Sequence, residues 1–231
     1  LMKAELRKRP EDLGLLHRLM ALYHKHSTLD KLGEELAAQA ARSGSGADYL
    51  LAAEFERERG RPDEASKLLQ QATGRPGGPD AAKSALMLAE LALRRSPPDV
   101  QAARRSLEGA LSTYKPGDAH RPKLLRKLAD IYSQSGETAQ AAQSLAELLE
   151  GAQGQEAVNL RRERAEALSR ANQPAAALAE WKKLASSGAG AGAVSRAEQR
   201  AEAELKVGEL SEALPDEGVD GRFERLAGAV V

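Results

Sequence analysis

A chain of 231 residues with 42% hydrophobic and 29% charged side chains is long enough to bury a sizeable core and polar enough to dissolve. Its 34 basic and 34 acidic side chains give a formal net charge of zero, which argues against a phosphate backbone, and hence nucleic acid, as the principal partner. Cysteine is absent, which excludes disulfides, thiolate metal sites and cysteine nucleophiles but leaves cytoplasm and periplasm equally open.

Aromatic residues make up only 3% of the chain, so Ala and Leu must fill the core, a composition that favours closely packed helices. No run approaches the roughly 18 apolar residues that span a bilayer, so direct membrane insertion is not expected. The opening LMKAELRKRPED lacks the layout of a signal peptide. Beginning at Leu1, the chain reads as a piece of a longer protein.

Residues 1–9 read as the closing helix of an earlier hairpin: Met2 and Leu6 lie four apart, and Pro10 follows the basic end Arg7-Lys8-Arg9. Leu13, Leu16, Leu19, Met20 and Tyr23 then form an apolar stripe. Ser27 or Thr28 offers an N-cap for a helix carrying Leu29, Leu32 and Leu36. A second hairpin runs through Tyr49, Leu50, Ala53 and Phe55, turns at Gly60-Arg61-Pro62, and returns through Ala65, Leu68, Leu69 and Ala72. Pro62 suits a first helical turn, and Asp63-Glu64 complement the positive end of the helix dipole.

The third hairpin uses Leu86, Leu88, Ala89 and Ala92, turns at Ser96-Pro97-Pro98, and returns through Val100, Ala103, Leu107 and Ala110. YKPGDAHRP at 114–122 reads as a linker. Residues 124–150 give the clearest hairpin: Leu124, Leu125, Leu128, Ile131 and Tyr132 precede the break at Ser135-Gly136-Glu137, and Ala141, Leu145, Leu148 and Leu149 follow it. In a fifth hairpin, Leu160, Ala165 and Leu168 are separated by Asn172-Gln173-Pro174 from Ala177, Leu178, Trp181 and Leu184. SSGAGAGA at 186–193 is a flexible joint. A sixth first helix is expected over 194–206, reaching Gly208, with Leu210, Ala213 and Leu214 opening its partner before Pro215.

A period unites these hairpins. Ala65, Ala103, Ala141 and Ala177 are spaced 38, 38 and 36 apart, and Leu69, Leu107, Leu145 and Trp181 keep step four residues on. Ala72, Ala110, Leu148 and Leu184 follow three beyond those. Repeats of this length imply stacked units rather than one globular core.

The spacing resembles the tetratricopeptide repeat (TPR) family, best at 124–150, where Leu128-Ala129, Tyr132, Gly136, Ala141 and Leu145 fall at the family's characteristic places. The period exceeds the family's usual length of about 34. The resemblance implies an all-α, right-handed superhelical solenoid of antiparallel helical hairpins, with about five to six repeats over residues 1–214 and a tail or cap at 215–231. It also implies that the first helix of each hairpin lines a concave groove that contacts the ligand.

Counting back 11 residues from Leu32, Ala65, Ala141, Ala177 and Ala213, and 13 across the longer Pro97-Pro98 turn, reaches Ala21, Glu54, Asp130, Glu166, Glu202 and Glu90. Five of the six are acidic. With Arg126 and Arg162 beside them, they are the candidate partner-binding row, a negative surface for a basic or amine-bearing segment. The competing reading is local: Glu90–Arg94, Glu166–Arg170, Glu202–Lys206, Arg126–Asp130 and Arg162–Glu166 are i,i+4 pairs, each supporting its own helix by about 0.3–0.5 kcal/mol. Family members that grip a C-terminal carboxylate use Lys and Asn on these faces, and Glu or Asp here disfavours that mode.

Neither a cofactor nor a metal is expected. His17 and His24 lie about 10 Å apart along a helix, too far for one ion. GAGAGA at 188–193 follows no strand and precedes no Lys-Ser/Thr, so it reads as a linker rather than a phosphate loop. No catalytic constellation stands out. The sequence therefore points to a non-catalytic protein–protein interaction scaffold holding a partner segment in its groove; the alternative is a structural spacer or a module that self-associates through its terminal repeats.

Overall fold

The computed structural model describes residues 2–9, 12–74, 79–186 and 202–210, and all the regular structure among them is helical. The helices are α1 (Met2–Lys8), α2 (Leu13–Lys25), α3 (Leu29–Ser43), α4 (Gly46–Glu58), α5 (Pro62–Thr73), α6 (Pro79–Leu93), α7 (Val100–Leu111), α8 (Arg121–Gln134), α9 (Thr138–Gly151), α10 (Gly154–Arg170) and α11 (Pro174–Ser186). A further helix, α12, covers 202–210. The chain forms two compact units, Leu1–Leu128 and Ala129–Val231, with the boundary inside α8.

One turn, used four times, makes the hairpins. The amides of Thr28, Arg61, Glu137 and Gln173 donate to the carbonyls of Tyr23, Glu56, Tyr132 and Leu168 at 2.8–2.9 Å. Just inside each of these bonds, the amides of Ser27, Gly60, Gly136 and Asn172 reach the carbonyls of His24, Arg57, Ser133 and Ser169. This bond pair is the Schellman closure, which satisfies carbonyls that a helix end otherwise leaves orphaned. It needs a left-handed residue, and all four have positive φ: Ser27 at 52°, Gly60 at 70°, Gly136 at 77° and Asn172 at 56°. Thr28 is the N-cap of α3 but makes no side-chain cap; its hydroxyl donates to the Tyr23 carbonyl instead.

The turn also fixes the register of the return helix. Leu32, Ala65, Ala141 and Ala177 each donate their amide to the residue that closes the turn, at 3.0–3.3 Å, and each is at most 1% exposed. Between α6 and α7 the closure differs: the Asp99 amide reaches back to the Ala92 carbonyl, spanning two residues more than the others, and the Asp99 carboxylate caps the Ala102 amide at 2.8 Å. Ala103 then takes the same first-turn position and is fully buried. Small residues recur there because the helices approach closely, and the next position buries the bulk: Leu69, Leu107, Leu145 and Trp181 are at most 2% exposed.

In the first unit, α4 packs between α3 and α5 and also meets α6. Its residues from Leu50 to Phe55 are consequently all buried, where a one-sided stripe was expected. In α6 the buried large side chains are Met87 and Leu91, while Leu86 and Leu88 are half-buried. Leu6, Leu16, Leu19, Leu32, Leu51 and Phe55 form one core cluster, and burying each Leu is worth about 1.5–3 kcal/mol. The 114–122 stretch is built into the fold: Tyr114 is 5% exposed against His120, and the Arg121 guanidinium donates to the carbonyls of Leu111 and Tyr114 at 3.2 and 2.8 Å.

In the second unit, α10 packs against both α9 and α11. The helix at 202–210 runs on through Gly208, so Leu210 belongs to it rather than to the partner helix expected from the sequence. The joint at 187–193 and the tail at 215–231 lie outside the described residues, as does Ala213.

Candidate partner-binding face

The recurring turn defines equivalent positions on the first helices without reference to side chains. Each accepting carbonyl, on Tyr23, Glu56, Ala92, Tyr132 and Leu168, lies two residues after a member of the row: Ala21, Glu54, Glu90, Asp130 and Glu166. The longer closure at Ala92 absorbs the two extra residues, so Glu90 keeps its place in the series.

In the first unit, Glu54 and Glu90 lie on neighbouring first helices, and Glu54 feels the charge of Glu90. Glu54 is buried, with its side chain only 7% exposed, and its carboxylate lies 2.7 Å from Arg57. Arg57 also donates to Glu58 at 3.0 Å, and Glu58 lies 3.4 Å from His17 on α2. Burial pushes the Glu54 carboxyl above the usual carboxylate range; Arg57 and Lys83 pull against that, while Glu58 and Glu90 add to it. Glu90 is exposed. The arrangement is one buried carboxylate paired with Arg57 and one exposed carboxylate on the neighbouring first helix.

The second unit is more closed on itself. Glu166 pairs with Arg170 at 3.2 Å, as its i,i+4 spacing anticipates. Glu202 joins Arg162 at 2.9 Å, and Lys206 donates to Glu209 at 2.7 Å instead of pairing with Glu202. Lys206 still feels Glu202 and Glu166, and its pKa is raised chiefly by the Glu209 hydrogen bond. Asp130 is exposed and engaged; Arg126, on the first unit's part of α8, is half-buried and also engaged.

Sequence reasoning missed Glu180. It is 4% exposed on α11, with Arg164 at 2.8 Å, Lys183 at 3.0 Å and Arg161 at 3.4 Å around its carboxylate. The signal was present: Ala177, Glu180, Trp181 and Leu184 follow the i, i+3, i+4, i+7 pattern of a buried face, and Arg161 and Arg164 sit three apart on the facing helix.

Among the described residues, no group of three or more His, Asp and Glu side chains could hold a metal ion, and no helix is long and apolar enough to cross a membrane.

Neither a protein-family model nor a curated protein sequence matches the chain. Among solved structures, it is similar to MamA at 14% identity, covering 79% of this chain and 90% of that one with a TM-score of 0.45. It is also similar to the nearly identical TPR-like repeats of a Podosopora anserina putative kinesin light chain, at 20% identity, 86% and 97% coverage and a TM-score of 0.48. A tetratricopeptide repeat protein from Parabacteroides merdae is similar at 13% identity over 94% and 85%, with a TM-score of 0.41. The fold is TPR-like. Its own hairpins carry that description: antiparallel pairs, a shared turn closure and a small buried residue in the first turn of most return helices.

Proposed function

We propose that the chain is a non-catalytic interaction scaffold whose first-helix face takes a segment of a partner protein, and that in the first unit this segment presents a Lys or Arg side chain to Glu90 and Glu54. One observation carries the reading: the hairpin register sets two carboxylates on successive first helices within electrostatic reach of each other, one buried and one open. Like charges held close disfavour one another, and an incoming cation relieves both. The self-paired charges of the second unit favour a supporting role for Glu166, Glu202 and Arg162.

The test uses the full chain and a fluorescein-labelled peptide of alternating lysine and leucine residues, followed by anisotropy. Saturable binding that weakens with added salt and falls roughly tenfold on Glu90→Lys is the expected result. Equal affinity of wild type and Glu90→Lys, at every salt concentration, sinks the proposal.

A further inference from the structure

Two of the clefts between return helices of the first unit differ in their charges. The cleft between α3 and α5, about 460 Å³, has most of its charges paired within itself, Asp30 with Arg59 at 2.5 Å and Arg61 at 3.1 Å, Glu56 with Arg61 at 3.7 Å, and Glu64 with Lys67 at 2.9 Å, and its remaining charged lining residue is the acidic Glu34. The cleft between α5 and α7, about 340 Å³, has no acidic lining residue. Its charged walls are Arg95 and Arg105, and its apolar lining includes Leu88, Ala92 and Ala102.

The two arginines are available in different ways. Arg105 is exposed and, among the described residues, makes no hydrogen bond or ion pair. Arg95 holds Asp63 at 2.8 Å, but both side chains are more than half exposed, and a pair in that setting contributes little enough to be exchanged for another carboxylate. A guanidinium matches a carboxylate with two parallel donors, a geometry that an ammonium lacks.

We propose that the α5–α7 cleft is a second docking surface, for an acidic segment of a partner protein, with Arg105 and Arg95 taking its carboxylates and Leu88, Ala92 and Ala102 receiving an apolar side chain between them. The surface is walled by the return helices α5 and α7 over a floor from α6, and its charges have the opposite sign to the first-helix carboxylates, so its binding is tested independently of the basic-segment reading. A scaffold with both faces joins two partners of opposite charge.

The probe is a fluorescein-labelled peptide of alternating glutamate and leucine residues, titrated with the full chain. Saturable binding is expected, roughly tenfold weaker for Arg105→Glu, weakened less by Arg105→Lys, which keeps the charge but not the paired donors, and weaker again when Arg95→Glu is added. Arg18→Glu makes the same change of net charge on exposed α2 and is expected to leave the affinity unchanged. Absence of saturable binding, equal affinity for the glutamine counterpart of the peptide, or equal losses for Arg18→Glu and Arg105→Glu would overturn the proposal. Unaltered circular dichroism of the Arg105 variants separates lost docking from lost folding. Glu90→Lys, expected to weaken lysine-peptide binding roughly tenfold, should leave this binding intact.

Discussion

The amide of Glu137 reaches back over Gly136 to the carbonyl of Tyr132, 2.8 Å away, and the same bond closes three other turns. Two of the four left-handed residues are glycines, but Ser27 and Asn172 hold that conformation with a Cβ attached. A left-handed L-residue costs roughly 1–2 kcal/mol, less for Asn. Ser27→Gly is therefore expected to stabilise the first unit by about 0.5–1 kcal/mol, the gain reduced by the entropy glycine adds to the unfolded chain. Gly136→Ala should lose about 1 kcal/mol or more, since the added Cβ meets no neighbouring atom and only the backbone penalty acts. Urea midpoints of the two variants check both signs.

Gly33 on α3 faces the Phe55 ring on α4 with no room for a side chain between them. A Cβ at Gly33 would lie 2.7 Å from the Phe55 ring, which is fully buried, and 3.0 Å from the Glu56 carboxylate. Alanine normally favours a helix over glycine by about 1 kcal/mol. Here the clash should exceed that gain, and Gly33→Ala is expected to be net destabilising by about 1–2 kcal/mol. A thermal midpoint at or above that of wild type would show that the ring moves aside freely.

Much of this architecture was legible because hairpin register is a local property. Ala65, Ala103, Ala141 and Ala177 recur at a nearly fixed period, and all four are buried in the first turn of a return helix. The two-residue correction at Pro97-Pro98 also follows from chain length alone, and the Ala92–Asp99 closure has that length. What escaped the sequence depends on neighbours. Glu54 reads as a groove residue by its spacing, yet α4 is enclosed by α3, α5 and α6, so its carboxylate is buried. Glu180 shares the buried face of Ala177, Trp181 and Leu184, but its partners Arg161 and Arg164 lie on α10, and nothing in its own helix announces them. The basic α5–α7 cleft is assembled from three helices and has no linear signature.

Glu54 should leave a mark on the pH dependence of stability. Its folded pKa lies above the ordinary value of 4.5, chiefly through burial. Between 4.5 and the raised value the folded state binds more protons than the unfolded one, so this group makes stability fall as pH rises through that window. Above the window the ionised carboxylate is a constant burden, partly offset by Arg57. Replacing it by Glu54→Gln removes the proton linkage, so the stability difference, wild type minus variant, should increase as pH is lowered through the window. Chemical denaturation at a series of pH values reads this directly, and a difference that does not vary with pH contradicts the assignment.

Glu180 is a buried carboxylate surrounded by three cations on two helices. Removing one member of such a cluster leaves the others desolvated and unpaired, which costs about 3 kcal/mol in buried settings. Arg161, Arg164 and Lys183 are 31%, 27% and 57% exposed, so water recovers part of that loss. Glu180→Ala is therefore expected to destabilise the second unit by about 2 kcal/mol, and Glu180→Gln by less because it still accepts a hydrogen bond. The first unit provides the internal control. Its unfolding, followed by hydrogen exchange at the amides of α4 and α5, should be unchanged in Glu180→Ala, because the stability of stacked hairpins is carried by each unit and its immediate neighbours. Equal loss of protection in both units would mean that the chain unfolds as a single cooperative block, and that Glu180 supports all of it.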